Sequence, residues 1–287
     1  MTAPFIAACV QFTAGPDPEP NLRVVSGLIR QARDAGAELI ATPEVSNFIE
    51  SGKRRRDKAR REAYDPFLAG LRELARETGA WLVIGSLVID PGDDSGDGRL
   101  ANRSFLIDAT GAIVARYDKI HMFDIDLPGG ESYRESNAYR PGSGTVVAGT
   151  PWGRLGMSVC YDVRFPHLYR RLAQAGADFL TVPSVFTVPT GTAHWHVLLR
   201  ARAIENGCFV LAPAAWGEHA GGRRSYGHSL IVDPWGEVLA DGGEGVGIVS
   251  ARLDPARIAE VRRMVPSLQH DRKFADPPPG ARPLAAE

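Results

Sequence analysis

The stretch GRLGMSVCYDVRFP, Gly153 to Pro166, decides how this chain reads. Leu155, Met157 and Val159 alternate with smaller or polar neighbours, so the segment opens as a short strand. At Cys160 the alternation stops, and after a sharp turn through Tyr161 and Asp162 the run RFPHLYRRLAQAG carries apolar residues at helical spacing, Leu168, Leu172 and Ala175. A strand that turns abruptly into a helix presents the side chain at its tip to a cleft. It also brings the next backbone N–H groups close to whatever that side chain attacks. Taken alone, a cysteine is more often a buried core residue than a nucleophile. Cys160 earns the second reading only if the rest of the chain supplies a base and a cation.

Working outward, FIAACVQF (Phe5–Phe12) is a buried strand ended by the Gly15-Pro16 turn, and Asn21 is placed to cap a helix carrying Leu22, Val25, Ile29 and Ala32. ELIATPE forms the next strand, closed by Pro43 with Glu44 just past its end. Phe67, Leu68, Leu71, Leu74 and Ala75 lie on one face of an amphipathic helix that stops at Gly79. Trp81–Ile89 is a strand, PGDDSGDG a loop, and RSFLID and AIVARYDK pair as a hairpin about the Asp108–Gly111 turn. Ile120 to Ser143 reads as one long irregular stretch, a kind of loop that in a compact domain usually serves function. Beyond the elbow come the strand DFLTVPS, a helix from about Thr192 to Asn206, the strand CFVLAPA, the hairpin SLIVDPWGEVLA, the strand GIVSARL and a last helix from Pro255 to about Met264. No repeat, linker or shift in composition divides the chain. The expectation is a layered α/β fold with helices covering one face of each of two sheets, a single domain over residues 1–270, and an extended Pro-rich tail over 271–287.

Composition narrows the function classes. The 287 residues are long enough for one large core, and 33 basic against 34 acidic residues leave no overall field to draw nucleic acid or an anionic membrane. The basic run from Lys53 is interrupted by Asp57 and lacks stacking aromatics, so it reads as a solvated helix start or a subunit-contact loop. Three widely spaced cysteines, Cys9, Cys160 and Cys208, do not make a disulfide framework and fit a reducing compartment. The apolar run Phe5–Val10 is too short for a signal segment, and no stretch approaches the ~20 apolar residues of a membrane span. The expectation is a cytoplasmic protein that meets neither nucleic acid nor membrane.

Attack on an amide carbon needs an activated nucleophile, a base and donors for the developing oxyanion. His121, His194 and His196 have no decisive spacing for the base. Glu44 at a strand end can serve if a dry pocket raises its pKa. Lys119, at the end of AIVARYDK, is the natural cation to hold an oxyanion or depress the thiol pKa. Single strand-end charges are usually nothing more, and spacing alone does not join these three residues. The Cys and His content shows no metal-ligand spacing, so neither a metal nor a cofactor is expected.

Three segments in order nevertheless resemble the motifs of the nitrilase, or carbon–nitrogen hydrolase, superfamily over nearly the whole chain: TPEVSNF, YDKIHMFDIDLPG and GMSVCYDVRFPHL. The resemblance implies that Glu44, Lys119 and Cys160 are its catalytic glutamate, lysine and cysteine, and that Glu135, in RESNAYRPG, is its second glutamate. It implies an αββα sandwich that pairs into a four-layer αββα–αββα homodimer or a dimer of dimers. It also implies a small-molecule amide substrate hydrolysed through a thioester, with the backbone N–H of Tyr161 helping Lys119 to hold the oxyanion. CYDVRFP, HWHVLLRARAIE and RRSYGHSLIVDPWG look most like the deaminated glutathione amidase and ω-amidase branch; hydrolases of N-carbamoyl compounds or nitriles, and a catalytically silent metabolite-binding relative, are the alternatives. Arg164 is the candidate for a substrate carboxylate, and Phe123, Phe186 and Thr187 for the pocket wall. Two departures from the family pattern, His167 and His196 where glutamate is common, are expected to tune the pocket or subunit contacts.

Overall fold

Along the strand Phe5–Gln11, Ala7 and Cys9 face one core cluster while Ala8 and Val10 face another, the period-two alternation of a sheet buried on both sides. The structure, a computed structural model, describes residues 2–92, 97–126, 132–219 and 222–276; the middle of the PGDDSGDG loop and the tail from 277 lie outside the described residues. Among the described residues there are six α-helices: α1 (Pro18–Asp34), α2 (Gly52–Lys58), α3 (Pro66–Thr78), α4 (Pro166–Gln174), α5 (Val188–Asn206) and α6 (Ala256–Met264).

The first sheet runs in the order Gly247–Leu253, Phe5–Gln11, Leu39–Ala41, Trp81–Asp90, Ala101–Ile107, Ile113–Asp118, with the short strand Arg60–Arg61 also paired to Trp81–Asp90. The second runs Val238–Asp241, Leu230–Val232, Phe209–Ala212, Phe179–Thr181, Gly153–Met157, Val146–Thr150. Each has a parallel centre with antiparallel flanks. The outer face of the first sheet is covered by Val25, Ile29 and Ala32 of α1 and by Phe67, Leu71 and Leu74 of α3. The inner faces meet through Phe5, Cys9, Val83, Leu155, Met157 and Leu211, and Leu168 and Leu172 of α4 with Trp195 and Leu199 of α5 complete the same cluster. Phe5 stacks on Trp152 at 4.4 Å and meets Phe179 edge-on at 5.6 Å, joining the two sheets. This is the αββα sandwich that the resemblance implies.

Several local expectations are corrected. Asn21 does not cap α1, which starts at Pro18 because proline at the first helical position loses no needed N–H. Its buried amide instead clamps the Gly15 turn, accepting from the Gly15 N–H and donating to the carbonyls of Gly15 and Asn47. α5 starts at Val188, four residues early, with Pro189 in its first turn. The described residues of the stretch 120–143 hold two short antiparallel strands, Asp124–Asp126 paired with Ser132–Arg134, and a 3-10 turn at Glu135–Asn137; residues 127–131 lie outside the described residues. The strand Val146–Thr150 and the hairpin Trp216–Glu218 with Arg224–Tyr226 carried no clear alternation and were not anticipated.

One glycine holds the two sheets together behind the strand ends. A Cβ on Gly85 would stand 1.8 Å from the Thr42 carbonyl oxygen and 2.4 Å from the Pro183 Cβ. The pairing of Trp81–Asp90 with its neighbour slips at this point, between Ile84 and Leu87. Gly85→Ala is expected to destabilise the fold by about 3 kcal/mol or more through overpacking. Denaturant unfolding of the variant beside wild type measures this; an unchanged midpoint would mean that the strand moves aside freely.

Candidate active site

Cys160 opens a 3-10 turn, Cys160–Arg164, immediately after the strand Gly153–Met157, and its φ of 50° is a left-handed conformation that non-glycine residues rarely adopt. Two sets of bonds hold it there. Its own N–H donates to the Pro183 carbonyl at 2.9 Å. Asp162, fully buried, accepts from the Val159 N–H (2.9 Å), the Tyr117 hydroxyl (2.7 Å) and the His121 N–H (3.0 Å), and its Oδ1 lies 2.7 Å from His121 Nδ1. The His121 ring stacks on Phe165 with centroids 3.5 Å apart. His121 is therefore committed to the turn and is not a base for the thiol.

Glu44 and Lys119 reach the same place from the ends of Leu39–Ala41 and Ile113–Asp118. The Lys119 ammonium, 2% exposed, donates to Glu44 Oε1 at 2.9 Å and to both Glu135 oxygens at 3.0 and 2.8 Å. The remaining acceptor sites are also used: the Val185 N–H donates to Glu44 Oε2 at 2.9 Å and the Phe123 N–H to Glu135 Oε2 at 2.7 Å. Asn102, which the sequence reading passed over, donates through Nδ2 to Glu44 at 2.9 Å and to Glu135 at 3.2 Å. Its one signal was a buried amide within an apolar strand, next to the charged Arg103.

Electrostatics follow from this packing. Burial alone would raise the Glu44 pKa, but the Lys119 charge and the hydrogen bonds from Lys119, Cys160 and Val185 outweigh it and hold the carboxyl below its ordinary range. The sequence reading made a raised pKa the condition for Glu44 to act as base; burial does push that way, but the net direction is opposite, because the cation lies in direct contact. Burial also opposes the Lys119 charge, and Glu135 and Glu44 overcome it, raising that pKa well above its usual value. Burial first, then the Glu44 charge, push the Cys160 thiol well above its ordinary pKa despite Lys119. The resting site thus holds a carboxylate, an ammonium and, beside that carboxylate, a neutral thiol. Such a set can pass the thiol proton to Glu44 as sulfur bonds to carbon, and can present a buried cation to an oxyanion.

These four side chains open onto a cavity of about 240 Å³. Tyr161, Phe123, Phe186 and Thr187 line it, as do Arg55, Tyr133 and Arg223, which were not anticipated. Arg164 does not line it. The 3-10 turn sends its guanidinium behind the wall, 5.4 Å from the Phe186 ring centre and 5.9 Å from that of Tyr161, with its nitrogens 3.2–3.3 Å from His194 Nδ1. Neither His167 nor His196 is among the described lining residues; His167 packs edge-on against His121 and Phe165. Arg223 arrives beside the strand Arg224–Tyr226, donates to the Val185 carbonyl at 3.0 Å and lies 5.0 Å from the Tyr133 ring centre, while its buried Nε has no acceptor among the described residues.

The carbon–nitrogen hydrolase family model matches residues 6–263. The deaminated glutathione amidase of Yersinia enterocolitica is 40% identical over 266 residues, covering 92% of this chain and 92% of that protein. The crystal structure of Saccharomyces cerevisiae Nit3, a member of branch 10 of the nitrilase superfamily, is 30% identical with a TM-score of 0.82, over 92% of this chain and 95% of that one. A mutant of the amidase from Nesterenkonia sp., solved with the acetamide moiety of fluoroacetamide added covalently at its active site cysteine, is 29% identical with a TM-score of 0.76, over 91% of this chain and 95% of that one. Three ordered motifs, the sandwich and these relatives lead to one conclusion: the chain belongs to the carbon–nitrogen hydrolase family, within the nitrilase superfamily.

Proposed function

We propose that the protein is a cysteine amidase that cleaves the side-chain amide of a keto-dicarboxylic acid, with deaminated glutathione as the preferred substrate. The observation that carries the reading is the Lys119 ammonium shared by Glu44 and Glu135 in the cavity that Cys160 also lines. In the first half-reaction the Cys160 sulfur attacks the amide carbon and its proton passes to Glu44. Lys119 and the Tyr161 N–H stabilise the tetrahedral oxyanion. The C–N bond breaks, the amine leaves with the proton held by Glu44, and a thioester remains. Water, deprotonated by Glu44, then attacks the thioester carbon; the acid departs and the proton returns to sulfur. Glu135 and Asn102 fix the lysine and the base rather than transfer protons. The covalent adduct on the cysteine of the Nesterenkonia amidase supports Cys160 as nucleophile.

Substrate choice rests on the names of the relatives and on charge in the cavity. Deaminated glutathione carries a carboxylate on each side of the amide that is cut. Arg55 and Arg223 offer guanidinium groups in the wall. These two arginines replace Arg164 in that role. A homodimer built on the family pattern in a cytoplasmic setting completes the reading.

Three measurements test it. Amine release is measured on deaminated glutathione, α-ketoglutaramate, a neutral aliphatic amide, an N-carbamoyl amino acid and a nitrile. Wild type is expected to turn over the first two and Cys160→Ala none. Turnover confined to the carbamoyl compound or the nitrile would overturn the branch, and activity in Cys160→Ala would overturn the mechanism. Arg223→Gln is expected to raise KM for deaminated glutathione by roughly tenfold, the scale of one charge-assisted bond, and to leave the neutral amide unchanged. An equal change on both substrates would remove Arg223 from carboxylate binding. Lys119→Met is expected to cost roughly 10²-fold in turnover and about 3 kcal/mol in stability by leaving two carboxylates buried without their cation. In that variant the Glu44 pKa rises above its unfolded value, so protonation stabilises the folded state and the deficit against wild type shrinks as pH falls. Wild type runs the other way: its depressed Glu44 pKa contributes stability above the unfolded value that is lost as pH drops. Unfolding midpoints across acid pH read both signs, and a deficit independent of pH would contradict the electrostatic account.

A further inference from the structure

Outside the cavity, the described residues bring together one group of three potential metal-ligating side chains. His196 lies on α5, His228 just ahead of the strand Leu230–Val232, and Asp241 at the end of Val238–Asp241. Their positions are too far apart in the chain to read as ligand spacing, yet their ligand atoms all lie within 4.8 Å of one another. His196 Nε2 is 3.0 Å from Asp241 Oδ2, and His228 Nδ1 is 3.0 Å from Asp241 Oδ1. We propose that these three residues form a binding site for a divalent transition-metal ion of the zinc class, which clasps α5 to the hairpin 230–241.

The donor chemistry selects the ion. Two imidazole nitrogens and one carboxylate suit zinc, cobalt, nickel or copper, whereas magnesium and calcium favour all-oxygen shells. A tetrahedral ion with bonds of about 2.0–2.1 Å holds its donors roughly 3.3 Å apart. The two contacts to Asp241 are already at that spacing, and only the imidazoles need to close. The ligands are also held in place. His228 sits at a φ of 54°, its N–H donating to the Gly243 carbonyl at 2.8 Å and its carbonyl accepting from Trp195 Nε1 at 2.7 Å. Its ring stacks on Tyr226 with centroids 4.5 Å apart. Asp241 Oδ1 accepts the Gly243 N–H at 2.8 Å, an outer bond that orients the carboxylate toward the imidazoles. Side-chain exposures of 34%, 23% and 34% for His196, His228 and Asp241 leave room for water to complete the shell. The Tyr226 N–H donates to the Phe186 carbonyl, so the clasp bears on a wall of the cavity without entering the chemistry there.

The test uses the full chain without affinity histidines, as wild type and as Cys160→Ala, so that capture of metal by the thiol is separated from capture by the cluster. After chelation and desalting, Zn2+ is titrated calorimetrically, Co2+ is followed by its visible spectrum, and thermal midpoints are recorded with Zn2+ and with Mg2+. One Zn2+ per chain is expected in both proteins, with a tetrahedral Co2+ spectrum and a midpoint raised several degrees by Zn2+ but not by Mg2+. His196→Gln, on an accessible helix face, and Asp241→Asn are each expected to weaken binding by roughly tenfold or more and to abolish the rise. The metal-free midpoint of each variant reports whether it folds. Binding that disappears in Cys160→Ala, or that survives His196→Gln unchanged, overturns the site.

Discussion

Lys119 keeps an ammonium group at 2% exposure, and the cost of stripping water from that charge, several kcal/mol, has to be met locally. Glu44 and Glu135 meet it together, and each is in turn held by a backbone N–H and by the shared amide of Asn102. Much of the surrounding geometry answers to that requirement. The backbone of 185 has to reach Glu44, the 3-10 turn at Glu135–Asn137 has to aim its carboxylate inward, and the strand Ala101–Ile107 has to expose an amide to the cavity side. Two carboxylates in contact would repel; the cation between them makes the arrangement stable and leaves one of them ionised beside the thiol.

The elbow is held by a separate network. Asp162 gathers the Val159 N–H, the Tyr117 hydroxyl and the His121 backbone, so the second sheet, the last strand of the hairpin 101–118 and the loop after Lys119 all converge on the turn that strains Cys160. The backbone of Pro183 accepts the Cys160 N–H, and Gly85 permits Pro183 and Pro43 to approach the same strand. Glu44 and Cys160 therefore belong to different sheets yet are referenced to one close contact. That is a physical route by which a sandwich of two sheets can hold a proton donor and its acceptor in register.

What could be read from the chain follows from how local each signal is. Alternation and helical spacing reported the central strands, the face of α3 and the strand–turn–helix at Cys160, because burial on a flat sheet or one helix stripe leaves a regular trace. Short edge strands such as Val146–Thr150 left none. Strand-end charges pointed to Glu44 and Lys119, whereas Glu135 came only from the resemblance, since nothing in RESNAYRPG sets one glutamate apart. Asn102 escaped because a single amide in a strand looks like a satisfied core residue. Arg164 is absent from the cavity lining for a geometric reason: a residue four positions after Cys160 points wherever the turn sends it, and this turn sends Arg164 against Phe186. Arg223 comes from a hairpin far along the chain, and only folding brings it to the cavity.

The neutral state of Cys160 also governs how the resting protein meets oxidants. Peroxides react with thiolates, so a sulfur that is buried and holds its proton far above the ordinary thiol range is a poor target. On the proposed mechanism, sulfur becomes nucleophilic only as the proton moves to Glu44, when the cavity is filled by the molecule under attack. A chain with this arrangement meets a peroxide-bearing environment with the thiol in its cavity protonated and so slow to become a sulfenic acid, and it does so without a disulfide partner.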